Sequence, residues 1–292
     1  MAQNYRYNHA EIMKAAKSGT PIRYRSLYIY PLTVENYELL WGCESALTIR
    51  LSTLPVVYAM KSYPEALFAI AMAGEDVVVN GEVVASPNDW RRFITLLCAS
   101  AHIPLEFVNN SVNFRVDNQD KTKLRAVVLR QITENEDNME SLSVEDLINL
   151  RKIIAEMNGR KLPDESENAE LAQAENDIRM SGTNVLDFKV DSLLASVARD
   201  QRVRIRDLYD WTIYEFELIR AAIDRERRFT VFGIGENSGM VKFPKGNPYP
   251  SVFFDKPANI SAVINASEFT SRISGAVQAT DKLPDNLPVI TK

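Results

Sequence analysis

Two histidines, His9 and His102, are the whole supply of the commonest general base, so a Ser-His-Asp or Cys-His site would need one of them. His102 stands beside Pro104 at the end of a helical pattern and reads as a partly exposed capping residue, while His9 lies in the N-terminal stretch. The cysteines are also two, Cys43 and Cys98, and Cys98 falls on the apolar side of a helical pattern, where a reduced, buried thiol is the ordinary reading. None of the paired Cys/His spacings that create a zinc site occurs, and no metal or other cofactor is expected. The acids Glu134, Glu136, Asp137 and Glu140 could attract a cation but read better as a solvated loop. Phe232-Gly233-Ile234-Gly235-Glu236-Asn237-Ser238-Gly239 follows a strand-like run and superficially suggests a dinucleotide loop. Its glycine spacing is wrong, and Met240 to Phe243 beyond it looks like a strand where phosphate binding needs a helix N-terminus. Arg199, Arg202, Arg204, Arg206, Arg220, Arg225, Arg227 and Arg228 make the C-terminal part locally basic. Asp200, Asp207, Asp210, Asp224 and Glu226 are interleaved with them, which favours salt bridging over a nucleic-acid surface. The residues therefore point away from catalysis.

The elements that must position these groups are those of an ordinary soluble protein. The chain has 292 residues, 46% hydrophobic and 25% charged, with a net charge of -5 that disfavours generic nucleic-acid binding. Its longest apolar stretch, Ala66 to Ala73, is far too short to cross a bilayer, and Met1 to Tyr7 lacks the pattern of a secretory signal, so a cytosolic protein is expected.

The expected fold is α+β and helix-rich, with two small domains joined by an acidic linker. Residues 1–19 form an N-terminal arm and 20–160 an α+β domain. A linker comes next at 161–184, then a helical domain with short strands at 185–280 and a tail at 281–292. Ile22 to Tyr30 alternates like one half-buried strand, with Ile22, Tyr24, Tyr28 and Tyr30 on a face. Thr33 suits a helix N-cap, with Leu32 stapled to Tyr37, and the helix runs through Trp41. Tyr63 to Met72 is an almost wholly apolar helix stopped by Gly74. Val77 to Val84 turns at Asn80-Gly81 as a hairpin, and Ser86, Pro87 and Asp89 open a helix through Leu97. Phe107 to Val116 reads as a hairpin around Asn109 and Asn110, and Ser143 opens a helix ended by Gly159.

Between Lys161 and Gly182 the chain is acidic and small, the composition of a hinge that proteases should cut first. Beyond it lie a helix around Ser192 to Arg199 and an extended stretch at Val203 to Ile205. A capped helix then runs from Thr212 to about Arg227, with strands at Phe229 to Phe232 and Met240 to Phe243 and a last helix near Ala266 to Val277.

Leu32-Thr33-Val34-Glu35-Asn36-Tyr37-Glu38-Leu39 and Trp211-Thr212-Ile213-Tyr214-Glu215-Phe216-Glu217-Leu218 share a capped and stapled helix entry. With the aromatic strand before the first copy and Gly246-Asn247-Pro248-Tyr249-Pro250-Ser251 after the second, the chain resembles proteins of tailed-bacteriophage tail morphogenesis, particularly tail assembly chaperones. The likeness is one of layout and covers most of Ile22 to Phe254. It implies a non-enzymatic protein of the host cytoplasm that binds the long, helical, aggregation-prone tape measure protein, or other tail proteins, while tail-tube subunits assemble. A homo-oligomer is compatible with it. Tyr28, Tyr30, Tyr37 and Trp41, or Trp211, Tyr214 and Phe216, are the candidate partner-binding aromatics, against the competing reading of aromatics at helical spacing as core. The alternatives are a virion component such as a connector or tail-completion protein, and an enzyme whose site carries no recognisable signature.

Overall fold

The computed structural model describes residues 8–79, 81–104, 111–132, 137–164 and 189–239, and beyond these residues 242, 243, 247, 249, 251 and 252. Most of the acidic linker, the residues around Asn109-Asn110, the stretch near Ala266 to Val277 and the tail at 281–292 lie outside them. The architecture is helix-rich α+β, with small antiparallel sheets of two or three strands set among helices. No described helix is long and apolar enough to cross a membrane.

The first helix, α1 (His9–Ser18), buries Ile12, Ala15 and Ala16 and stops at Gly19, whose φ of 70° the missing Cβ permits. The next segment is a hairpin rather than one strand: β1 (Ile22–Tyr24) pairs with β2 (Leu27–Ile29) across Arg25-Ser26, with Arg25 at positive φ. Arg25 carries this unfavoured backbone because its guanidinium meets Asp146 at 2.8 Å and Ser26 Oγ donates to Glu140 at 2.6 Å. The two-residue turn resets the alternation. Ile22, Tyr24, Leu27 and Ile29 point inward, and Tyr28 and Tyr30 fall on the other face, half-buried.

Helices α2 (Tyr37–Cys43), α3 (Ser45–Thr48) and α4 (Val56–Ala59) lead to α5 (Tyr63–Ala73), which Ser62 and Glu65 open with a capping box and Gly74 closes. Hairpin β3 (Val77–Val79) and β4 (Glu82–Ala85) turns through Gly81 at φ 86°, and α6 (Asn88–Ser100) comes after it. The expected pairing of Phe107 to Val116 with itself is corrected in its described half. There β5 (Val112–Val116) pairs with β6 (Leu124–Ile132), which in turn pairs with β7 (Asp137–Ser143). Helix α7 (Val144–Met157), capped by Ser143, packs with α5 against β6 and buries Leu147, Leu150, Ile153 and Ile154.

The C-terminal part contains α8 (Val190–Gln201), α9 (Ile205–Leu208) and α10 (Ile213–Asn237). The extended stretch ends at Arg204, because Ile205 already begins α9. A second correction is larger: α10 continues ten residues past Arg227 and absorbs both the strand expected at Phe229 to Phe232 and the glycine-rich stretch as far as Asn237. Lys242 and Phe243, from the other expected strand, are not in a strand. One hydrophobic cluster runs through both parts, joining Leu194, Val197, Leu208, Ile213 and Phe216 to the core built on α1, α5, α6, α7 and β6.

Candidate partner-binding surface

The seam between the two parts is built where the two helix-entry segments meet. Thr33 and Thr212 form an antiparallel bridge; Val34 N–H donates to the Trp211 carbonyl and Ile213 N–H to the Leu32 carbonyl, each at 2.9 Å. Thr212 Oγ1 donates to the Ala16 carbonyl at 2.7 Å and accepts from Glu215 N–H at 3.1 Å, so one buried hydroxyl both caps α10 and pins α1. The resemblance between the segments thus has a physical use as a self-complementary joint.

The seven candidate aromatics divide by depth. Phe216 is 0% exposed, and Tyr37 lies edge-on to it at 5.7 Å with its hydroxyl donating to Glu217 at 2.5 Å. Both are core, which corrects their candidacy as surface: a stapled aromatic beside a cap points toward the interior. Burial, reinforced by the hydrogen bond to Glu217, pushes the Tyr37 phenol above its ordinary pKa. Trp211 and Tyr214 are half-buried, and the Tyr214 ring passes 3.3 Å from where a Cβ on Gly159 would stand.

Tyr28 and Tyr30 are half-buried at another place. Gln131, buried on β6, accepts from Tyr28 N–H at 2.9 Å and donates to the carbonyls of Tyr28 (2.8 Å) and Ala101 (2.7 Å). The Tyr30 ring stacks on His102 at 3.8 Å and 12°. His102 lies exposed one residue past Ala101, the C-cap of α6, at positive φ, its backbone N–H donating to the Ala99 carbonyl, and partial desolvation lowers its pKa. Trp41, half exposed on α2, is the most accessible of the seven.

Sequence reading passed over a more exposed surface. On α4, Val56 is 72%, Val57 65% and Met60, just past its end, 85% exposed. A Pro-Val-Val-Tyr-Ala-Met run between two turns carries no amphipathic period, and only its lack of any polar residue marked it. Val78 and Val83, direct partners across β3 and β4, also face outward, as does Phe114 on β5, which nonetheless touches Trp90 at 5.6 Å.

Chemistry-bearing side chains are engaged in holding backbone together. Arg151, buried, donates to the Leu47 carbonyl at 2.6 and 2.9 Å, satisfying the end of α3, and lies over the Tyr63 ring. Asp146 accepts from Tyr24 Oη at 2.9 Å and from Ser143 N–H at 2.8 Å. Burial pushes the Cys98 thiol up to about 12, leaving it protonated and inert at neutral pH. The arginines of the C-terminal part meet the interleaved acids, Arg227 with Asp200 at 2.6 Å and Arg228 with Asp224 at 2.7 Å. Among the described residues no group of three or more His, Cys, Asp or Glu could hold a metal ion. The chain matches no protein-family model, and no curated protein or solved structure is significantly similar to it.

Proposed function

We propose that this chain is a non-enzymatic protein of tailed-bacteriophage tail morphogenesis, a chaperone that holds the tape measure protein in the host cytoplasm during tail assembly. The observation that carries a holding role is the bare apolar turn Val56, Val57 and Met60. It projects from a helix with no buried residue, next to α5, whose apolar face is deep in the core. A holding protein needs such a surface: unbranched Met adapts to varied apolar partners, and the fixed backbone beneath lowers the ordering cost of binding. The layout of the two helix entries, by its resemblance to tail assembly chaperones, supports the choice of partner.

Co-purification with a helical fragment of the tape measure protein of the same phage tests the reading. Val57→Asp and Met60→Asp alter exposed side chains, so each should keep the wild-type Tm yet weaken capture by about tenfold or more, as loss of a hot-spot contact does. Undiminished capture by both variants would overturn the assignment of this surface. Recovery of the chain at stoichiometric copy number in mature virions would overturn the chaperone role itself.

A further inference from the structure

Helix α10 has two halves of different character. Its first half, through Arg228, is rich in Glu, Arg, Ala and Ile, and is tied to the body: Ile213 and Phe216 are buried, and Arg227 reaches Asp200 and Ser196 on α8. Its end, Phe229-Thr230-Val231-Phe232-Gly233-Ile234-Gly235, is a run of poor helix formers, β-branched, aromatic or glycine, whose local preference is extended. Val231 and Ile234 continue the stripe that buries Phe216 but face outward here, because the helix outruns the body. Propagating the helix through such a run is unfavourable residue by residue, most of all at Gly233 and Gly235.

It is held by chain that lies beyond it in sequence. Past Gly239, at φ 72°, Phe243, Asn247 and Tyr249 lie back along α10 as a strap. Phe232 stacks on Phe243 at 5.5 Å and meets the edge of Tyr249 at 5.0 Å. Asn247, 9% exposed, donates from Nδ2 to Glu236 at 3.0 Å and accepts Tyr249 N–H through Oδ1 at 2.9 Å. Arg228 donates to Tyr249 Oη at 2.7 Å and lies 5.5 Å from its ring centroid. These contacts take up Arg228, Phe232 and Glu236, one i, i+4 row of the helix.

We infer that residues 229–237 and this strap form a latch: the last turns of α10 are helical only while Phe243, Asn247 and Tyr249 are docked. Undocking unwinds those turns toward the extended form their sequence prefers and bares the Phe232 ring. Tertiary contact here overrides local propensity, and such a conflict between levels is how a fold builds an element with two accessible states.

Amide hydrogen exchange on the full chain, read by segment, tests this. In Asn247→Ala/Tyr249→Ala, exchange across 229–237 should quicken by about tenfold or more while 213–220 stays as in wild type. Gly233→Ala places a methyl where no atom lies within 4 Å, so it should slow exchange across 229–237 about five-fold in the wild-type background, the effect of one glycine on helix stability. Unchanged exchange in the strap variant would mean that the helix end stands alone, and equal quickening at 213–220 would mean general destabilisation. Either result, or no slowing in Gly233→Ala should the strap variant fail to fold, overturns the latch.

Discussion

Replacing Thr212 with Val keeps the shape of the side chain and removes its hydroxyl. The geometry gives this change two consequences. The N-cap of α10 loses its acceptor for Glu215 N–H, a change that costs about 1 kcal/mol. The Ala16 carbonyl, on a residue with no exposed surface, loses the 2.7 Å bond from Thr212 Oγ1; a buried acceptor left unsatisfied costs about 1–3 kcal/mol more. The sum, about 2–4 kcal/mol, exceeds the single cap value that the sequence alone suggests, because the hydroxyl also holds α1. Thr212→Ser is the control. It keeps both hydrogen bonds and gives up only the methyl that lies 3.7 Å from the Cβ position of Gly19, worth about 1 kcal/mol. Urea unfolding at constant m-value should therefore rank wild type above Ser and Ser above Val, with Val lowering Tm by roughly 5–10 °C. A Val variant no less stable than the Ser variant would refute the claim that one hydroxyl joins the two parts.

Phe216→Ala should destabilise by about 3–5 kcal/mol in the same unfolding assay, since its ring has no exposure and packs on Tyr37; a loss below about 1 kcal/mol would place it at the surface. Gln131→Leu leaves Tyr28 N–H and the carbonyls of Tyr28 and Ala101 without this partner, so a loss of at least about 3 kcal/mol is expected, and a neutral result would show the pin to be dispensable. Tyr24 and Tyr37 both have phenol pKa values raised first by burial and then by hydrogen bonds to Asp146 and Glu217. Folded values above the unfolded one mean that their contribution is fully present below pH of about 10 and is lost as pH climbs from there toward the folded values. Ultraviolet titration should show two late-ionising phenols that disappear in Tyr24→Phe/Tyr37→Phe; an unchanged late phase would contradict both assignments.

How much of this is legible in the sequence depends on how far apart the cooperating residues lie. Thr212 acts with Glu215 over three residues, Ser143 and Gly74 mark helix ends at their own positions, and Gly81 lies in the turn between β3 and β4, so sequence alone located those elements. The turn at Arg25-Ser26 carries no glycine or asparagine. It is made by Glu140 and Asp146, more than a hundred residues away, and its phase decided which tyrosines face inward. The pairing of β5 with β6 is local instead, across 117–123, where Asp117 N–H donates to the Lys123 carbonyl and no glycine or proline marks the turn. The end of α10 was misread because its sequence does prefer an extended form and the strap overrules it. Of the candidate surface, Trp41 was reachable by sequence, while Val56, Val57 and Met60 were not, since an apolar run without period looks the same buried or bare.

Five of the long-range polar bonds share one direction. Tyr24 to Asp146 spans 122 positions, Tyr28 to Gln131 103, Leu32 to Asn158 126, Tyr37 to Glu217 180 and Ala16 to Thr212 196. In each, a group between residues 16 and 37 is satisfied by one from 131 or later. These five groups find their polar partners only in the later elements, and closing such separations costs chain entropy that the contacts must repay. α1, the β1–β2 hairpin and the first helix entry all bond to groups supplied by β6, α7 and α10, and the seam at Thr212 joins the two parts of the chain through one hydrophobic cluster and one β-bridge.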